Sequence, residues 1–292
     1  MSEARTARTA AMGEAGVWMA GAITSFSLMA VAGRELSDTL APYEIMAWRS
    51  LIGVAAVAAF ALATTGRLDV ATAMPGRHAA RNLVHFVAQN AWFAAIALIP
   101  LAQVVAIEFT NPVWVALLAP LLLGERLTRA RLMATALGFL GVLVVTRPGL
   151  AALDVGHAFA LAAAIGFALT NMATRRLGTA DGAITVLFWM TLSQTAMGFL
   201  VTALALGHVP LPPAGAAPWV LAIGACGLSA HTCLTRALIA APASVVAPME
   251  FLRLPVIALL GAALYGEALE AAVFLGAGLI VAGNLVSLRG RT

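Results

Sequence analysis

The chain of 292 residues contains no lysine, so all 17 of its basic side chains are arginines. A P-loop ATPase needs a lysine on the nucleotide phosphates, and enzymes that form Schiff bases through a lysine need its amine. The absence of lysine therefore excludes both classes.

Charge of either sign is also scarce. Only 10% of the residues are charged and 62% are hydrophobic, with a mean hydropathy of +0.95, whereas about 25% of the residues in a soluble domain are charged. This composition indicates a polytopic membrane protein. The basic pI of about 10.0 reflects loop arginines near anionic headgroups, and the chain offers no basic patch for nucleic acid.

Motifs for catalysis and for metal binding are missing as well. The five histidines are scattered, and neither H-E-x-x-H nor G-x-S-x-G occurs. Cys226 and Cys233 lie on one predicted helix with Cα atoms about 10 Å apart, so they cannot form a disulfide with each other. The sequence predicts no catalytic residue, no metal site and no cofactor, and a membrane-embedded enzyme is the weaker alternative.

An internal repeat is the main feature that the sequence does contain. Residues 97–125, ALIPLAQVVAIEFTNPVWVALLAPLLLGE, recur from residue 237 as ALIAAPASVVAPMEFLRLPVIALLGAALYGE. At one fixed offset Glu108 matches Glu250, and Gly124-Glu125 matches Gly266-Glu267. The chain therefore reads as two copies of about 140 residues each.

Ten helical spans are predicted, since crossing a bilayer takes about 20 apolar residues. Five helices in each copy is an odd number, so the second copy must be inserted upside down. We therefore predict an all-α polytopic membrane protein with ten transmembrane helices as two inverted five-helix repeats, with helix 1 an uncleaved anchor. The predicted units are a cytoplasmic segment 1–13, a first repeat 14–147 and a second repeat 155–288. The spans are placed at about 14–33, 42–63, 79–98, 102–123, 130–146, 156–174, 183–206, 216–238, 243–265 and 269–288.

The placement of arginine predicts the orientation. With the N-terminus in the cytoplasm, only Arg34 and Arg147 fall at outer ends, and Arg49 and Arg253 fall within spans. Such a bias predicts that both termini are cytoplasmic. The other thirteen of the 17 arginines fall on the inner side: Arg5, Arg8, Arg67, Arg77, Arg81, Arg126, Arg129, Arg131, Arg175, Arg176, Arg236, Arg289 and Arg291.

The paired E-x-x-x-P segments and the Gly-Glu that closes helices 4 and 9 resemble the EamA type of the drug/metabolite transporter superfamily. The resemblance covers nearly the whole chain. It implies a multi-pass carrier in the bacterial inner membrane, with a central cavity between the copies. The expected function is secondary transport, by alternating access, of small polar metabolites such as amino acids, with export as the expected direction. Uptake of a vitamin or nucleoside by a carrier of the same fold is the alternative.

The expected partners are a small-molecule substrate and the lipid bilayer, but no nucleic acid. A proton gradient is a candidate driving force, and both a monomer and a homodimer remain open. The sequence does not give the substrate.

Helix 3 carries a polar stripe on one face, because Asn82, His85, Gln89 and Trp92 recur at intervals of three, four and three residues. In the functional interpretation, His85 and Gln89 hydrogen-bond a ligand and Trp92 stacks on it. In the alternative, the stripe is a hydrogen-bonded seam between helices, an interpretation favoured for Asn82.

Two predicted helices carry charges next to a proline. Glu108 and Asn111 share a face of helix 4, and Pro112 removes the hydrogen bond to the carbonyl of Glu108, which predicts a kink there. Glu250 and Arg253 repeat this spacing on helix 9. Ionisable residues inside a membrane indicate a functional site by default. We therefore assign His85, Gln89, Trp92, Glu108, Asn111, Glu250 and Arg253 to a substrate site.

The partners of these charges remain alternatives at the sequence level. Glu250 is expected to hold Arg253, and the two could also neutralise each other without contacting a substrate. Arg49 on helix 2 is a candidate partner of Glu108. His231 on helix 8 is equally compatible with cavity lining and with packing.

Overall fold

The computed structural model describes residues 2–123, 129–147, 154–240, 246 and 249–289. All regular secondary structure in these residues is helical. The helices are α1 (Ser2–Ser37), α2 (Pro42–Thr65), α3 (Pro75–Leu98), α4 (Leu101–Glu108), α5 (Asn111–Leu123), α6 (Arg129–Thr146), α7 (Val155–Leu206), α8 (Ala217–Ala240), α9 (Arg253–Tyr265) and α10 (Ala271–Arg289).

Helix ends follow local sequence signals. Pro42 and Pro75 occupy the first turns of α2 and α3, where the missing N–H has no partner to lose. Asp154 caps α7 by accepting a hydrogen bond from the backbone N–H of Gly156 at 2.7 Å. Gly66 and Gly266 end α2 and α9 in the left-handed conformation, with φ of 70° and 66°, which glycine adopts without steric cost.

The predicted kink at Glu108 is confirmed as a complete break. α4 ends at Glu108, a turn covers Phe109 and Thr110, and α5 begins at Asn111. The second copy repeats this arrangement, because helical residues 249–250 are followed by a turn at 251–252 before α9 begins at Arg253. The first part of predicted span 9 lies outside the described residues.

Spans 6 and 7 form one long helical element, α7, that turns sharply at Gly182, whose φ is 78° and ψ is 167°. Within the described residues, five helical stretches could cross a membrane on length and composition alone: Gly13–Ser37, Pro42–Thr64, Val155–Thr174, Ile184–Leu206 and Ala214–Ala237. The apolar helices Thr135–Thr146, Arg253–Tyr265 and Ala271–Gly283 are shorter. The described helices follow the order of the ten predicted spans.

The two copies pack against each other in a crosswise manner. α1 packs on α8, α3 and α2 pack on α7, α4 packs on α9, and α6 packs on α10. Each of these contacts joins a helix of the first copy to one of the second. Among the described residues, the most extensive helix packing therefore joins the two copies, as expected when two inverted repeats enclose a site between them.

Glycines allow the closest of these approaches. A Cβ atom added to Gly141 of α6 would lie 2.5 Å from the carbonyl oxygen of Gly276 of α10, and one added to Gly276 would lie 2.5 Å from the carbonyl oxygen of Gly141. A Cβ added to Gly198 of α7 would lie 2.8 Å from atoms of Ala47 on α2. Small residues at such contacts let membrane helices pack with their backbones close together.

Candidate functional site

The carboxylate of Glu108 is the centre of the candidate site. It lies at the break between α4 and α5 and accepts two hydrogen bonds from side chains. The indole N–H of Trp92 on α3 donates to one carboxylate oxygen at 2.9 Å, and Nη2 of Arg253 on α9 donates to the other at 2.6 Å. Glu108 and Arg253 thus form an ion pair that joins the two copies.

Arg253 is enclosed on both sides by aromatic rings. Its side chain is only 4% exposed, and its guanidinium carbon lies 5.1 Å from the ring centroids of both Phe26 and Phe109. Such cation–π contacts stabilise a desolvated guanidinium. One nitrogen, Nε, has no hydrogen-bond partner among the described residues, so within them it is an unused donor.

The structure decides between the pairings left open by the sequence. Arg253 forms its ion pair with Glu108 and not, as expected, with Glu250, and the partner of Glu108 is Arg253 and not the candidate Arg49. The reason is tertiary: the breaks in both copies place the end of α4 against the beginning of α9. Among the described residues, Glu250 is half-buried and forms no hydrogen bond or ion pair.

The rings of Phe109 and Phe251 occupy matching positions of the repeat and pack edge to face, with centroids 5.0 Å apart. Their contact places the two helix breaks next to each other. Asn111, which matches Arg253 in the repeat, instead hydrogen-bonds α7, donating to the carbonyl oxygen of Ala164 at 3.3 Å and accepting from Asn171 at 3.2 Å. The symmetry of the repeat is therefore broken in charge, since one copy provides a guanidinium where the other provides an amide.

The residues of the polar stripe on α3 make different kinds of contact. Asn82 donates to the carbonyl oxygen of Trp189 and to Ser193, at 2.9 and 3.1 Å, so it belongs to the helix–helix seam that the alternative interpretation predicted. His85 shares a hydrogen bond of 2.7 Å with the amide of Gln194 on α7. Gln89 is buried but forms no hydrogen bond within the described part of the chain.

The structure thus brings together Trp92, Glu108 and Arg253 from the predicted set. It places His85 in a separate polar group with Gln194 and Ser50, whose hydroxyl donates to Gln194 at 3.2 Å. The sequence interpretation missed Ser50 and Gln194. The signal available for Gln194 was a single amide in span 7, whose other polar residues are all serine or threonine.

The end of the bundle at which α1 and α9 finish is closed by contacts between the copies. Glu267 forms an ion pair with Arg34 at 3.3 Å and accepts the backbone N–H of Leu101 at 2.9 Å. Burial raises the pKa of Glu267 above its ordinary value. Arg147 and Glu270 form a second ion pair there. Gly266 caps α9 as expected, but Glu267 also joins the copies, whereas its repeat partner Glu125 lies outside the described residues.

The opposite end, where α2 finishes and α3 begins, is closed by a different polar group. Asp181, beside the turn in α7, contacts His78 of α3 and the hydroxyl of Thr72, each at 2.7 Å. The hydrogen bond from His78, followed by that from Thr72, holds the pKa of Asp181 below its ordinary value. Nε of Arg81 donates to Thr174 at 2.9 Å. Both ends of the bundle are therefore held by links between the two copies.

The arrangement suits the binding of a polar solute. Buried charges from both copies meet at two broken helices, a geometry typical of the sites of secondary carriers, where unwound backbone lies at membrane depth only if it is buried or lines a cavity. The described residues contain no group of three metal-ligating side chains. The fold and the site define a multi-pass membrane carrier with two inverted repeats.

Comparison with known proteins gives the family. The chain matches the EamA-like transporter family twice, over residues 14–147 and 154–289, and it belongs to that family. This confirms the resemblance seen in the sequence and the two-repeat helical fold. A solved crystal structure superimposes with a TM-score of 0.65 at 21% identity, covering 96% of this chain and 98% of that one, which supports the fold alone.

Curated relatives include transporters of two named solutes. A riboflavin transporter of Rhizobium johnstonii is 31% identical over 94% of this chain and 90% of its own length. A riboflavin transporter of Brucella anthropi is 27% identical over 78% of this chain and 81% of its length. An S-adenosylmethionine uptake transporter of Rickettsia prowazekii is 23% identical over 92% of this chain and 90% of its length.

Proposed function

We propose that the chain is a secondary carrier that takes up a vitamin- or nucleoside-like metabolite with an aromatic heterocycle, with riboflavin as the first solute to test. The similarity to the Rhizobium johnstonii riboflavin transporter, at 31% identity over 94% of the chain, carries this proposal. The relatives therefore favour the alternative drawn from the sequence over the export of amino acids.

The chemistry of the site is compatible with such a solute. Phe26, Phe109 and Trp92 surround the Glu108–Arg253 pair, and aromatic rings can stack on a planar heterocycle. Glu108 offers acceptors, and the free Nε of Arg253 offers a donor. In this proposal His85, Gln89, Asn111 and Glu250 supply further polar contacts when the cavity between the copies opens.

In this proposal, transport requires the contacts that close the two ends of the bundle to break and re-form in turn. The links at Glu267 and at Asp181 both join the copies, so opening one end while the other stays closed gives alternating access. We place the protein in the inner membrane with both termini in the cytoplasm, because the arginines are biased to that side. The absence of lysine excludes a P-loop, so the solute gradient or a proton gradient drives the flux.

Flux into proteoliposomes tests the proposal. Purified protein should accumulate radiolabelled riboflavin without ATP, and excess unlabelled riboflavin should compete with the label. Empty liposomes and liposomes with the Glu108→Gln variant are the controls. Uptake of radiolabelled S-adenosylmethionine but not of radiolabelled riboflavin would assign the chain to the second solute, and a strict requirement for ATP would overturn secondary transport.

A further inference from the structure

A second buried cation, Arg49 on α2, is not part of the Glu108 site. The residue is only 7% exposed. Within the described part of the chain its one hydrogen bond goes from Nη1 to the thioether sulfur of Met46, at 3.6 Å, and a thioether is a weak acceptor. No carboxylate in the described part of the chain forms an ion pair with it.

Such an arrangement is costly for folding. A buried guanidinium loses its hydration, and only a counter-charge or several hydrogen bonds offset that loss. Arg253 shows how the same chain treats a buried arginine that has a partner, because Glu108 and two aromatic rings surround it. Arg49 has no comparable surroundings among the described residues, so a counter-charge from outside the chain would offset this cost.

Arg49 lines a cavity between α2, α7 and α8. Its polar walls are Ser50, Thr191, Gln194 and His231, with no carboxylate among the lining residues. The free volume is about 20 Å³, enough for one oxygen atom of an anion, so the cavity has to widen to admit a whole carboxylate or phosphate group. His231, for which the sequence left lining and packing open, is thus a lining residue.

Glycine keeps this space open next to the guanidinium. A Cβ added to Gly227 of α8 would lie 3.2 Å from Nε and 3.4 Å from Nη2 of Arg49. The absence of a side chain there leaves space beside the Nε and Nη2 edge of the guanidinium. The N–H groups of that edge lie in the guanidinium plane, in a cavity lined by hydroxyl, amide and imidazole groups, and such paired donors bind an oxyanion through two parallel hydrogen bonds.

We propose that the cavity at Arg49 is an anion-binding site that takes a carboxylate or phosphate group. The anion is held by the guanidinium, with Ser50 and His231 beside it. Its source is either a free anion from solution or an acidic group on the transported solute. The site does not depend on the solute proposed above, because a free anion would bind to it whatever the carrier transports.

The melting temperature of the purified protein in detergent tests the proposal. Sodium phosphate or sodium acetate should raise it in the wild type by about 4 °C at about ten times Kd, but not in Arg49→Met. General effects of salt on folding are common to both proteins and cancel in the comparison. Arg49→Met should melt at the same or a higher temperature without anion, because it removes an unpaired buried charge.

Two further variants test separately the charge of Arg49 and the space beside its guanidinium. Arg49→Lys should retain a weaker response, because it keeps the charge but loses the planar fork. Gly227→Ala should reduce the response by filling the space beside the guanidinium, and Ser229→Ala on the exposed side of α8 is its control. If Arg49→Met does not fold, the site is tested by comparing the rise in melting temperature with anion between Gly227→Ala and Ser229→Ala.

The source of the anion is resolved by a second pair of probes. A larger stabilisation by riboflavin 5′-phosphate than by riboflavin, lost in Arg49→Met, would assign the anion to the solute. A response to inorganic phosphate or acetate alone would assign it to a free anion. Equal responses of the wild type and Arg49→Met to every anion would overturn the site, and this result would leave riboflavin uptake untouched.

Discussion

At the scale of single residues, the Glu108–Arg253 pair has a proposed role in solute binding and also affects the stability of the fold. Arg253 is almost fully buried and Glu108 is partly exposed, with 4% and 20% of their side chains accessible. Removing one member of a buried pair leaves the other charge unpaired, which costs about 3 to 5 kcal/mol. The pair therefore cannot be tested by a single substitution alone.

Glu108→Gln should abolish transport and also lower the melting temperature, because Arg253 then lacks a counter-charge. The double variant Glu108→Gln/Arg253→Met should regain stability but not transport. Flux assays and thermal unfolding of the single and double variants measure both effects, and normal transport by Glu108→Gln would remove Glu108 from the site.

Trp92 should matter through its N–H group as well as its ring. Trp92→Phe keeps an aromatic ring but removes the hydrogen bond to Glu108, so it should weaken solute binding by a factor of about 5 to 10, the equivalent of one net hydrogen bond. Trp219→Ala, at the exposed start of α8, is the control and should bind normally. Equal binding by both variants would show that the indole contact plays no part in recognition.

Two carboxylates at opposite ends should give opposite dependences of stability on pH. Glu267 has a pKa raised above 4.5 by burial. Its stabilising contribution to the free energy of unfolding is therefore present below pH 4.5 and is lost as the pH rises through the raised pKa. Asp181 has a pKa lowered below 3.8 by His78 and Thr72. Its contribution is present above pH 3.8 and is lost as the pH falls through the lowered pKa.

Thermal unfolding between pH 3 and 8 checks these signs. The melting temperature of Glu267→Gln minus that of the wild type should increase with rising pH. The same difference for Asp181→Asn should increase with falling pH at the acidic end of the range. A difference for Glu267→Gln that does not vary with pH would mean that its ion pair with Arg34 fully balances burial.

At the scale of helices, the fold depends on close contacts between small residues. α6 and α10 approach so closely at Gly141 and Gly276 that an added Cβ on either would lie 2.5 Å from a backbone carbonyl oxygen of the other helix. Backbone atoms cannot move aside as a flexible side chain can, so the helices themselves would have to separate. This contact joins the two copies.

Gly276→Ala should therefore lower the melting temperature by several degrees, because it forces α10 away from α6. Gly278→Ala is the matched control on the same helix, since an added Cβ there has no atom within 4 Å. It should be neutral or slightly stabilising, because alanine favours a helix by about 1 kcal/mol over glycine. Thermal unfolding of the two variants gives the comparison, and an equal effect of both would contradict the close contact.

At the scale of the whole molecule, the two ends of the bundle have different closures. Ion pairs of Glu267 and Glu270 hold one end, whereas Asp181 with His78 and Thr72 holds the other. A carrier that alternates between two open states has to break these closures in turn. The charge bias of the arginines predicts which end faces the cytoplasm.

Cysteine labelling tests this orientation. In a background without Cys226 and Cys233, a cysteine at Ala71, in the exposed loop between α2 and α3, should react with a membrane-impermeant reagent only from the cytoplasmic side. One at Leu211, which is 80% exposed before α8, should react only from the outer side. Reaction of position 71 in intact cells would overturn the orientation and, with it, the cytoplasmic termini.

The sequence by itself determined the class of protein and its symmetry. Low charge and long apolar runs identify a membrane protein, because each apolar segment interacts with the bilayer separately. The match of Glu108 with Glu250 and of the two Gly-Glu pairs fixed the repeat, and the odd number of helices fixed the inversion. Pro112 fixed the break in span 4, because a missing N–H is a local property of the chain.

Only the tertiary structure decided which buried charges meet. Spacing along one helix paired Glu250 with Arg253, but packing between the copies paired Glu108 with Arg253 and left Arg49 facing a cavity without a carboxylate. Ion pairing depends on distances of a few ångströms between segments over a hundred residues apart, and these follow from how the broken helices cross. The sequence shows that a charge is buried, whereas the packing of the two copies decides its partner.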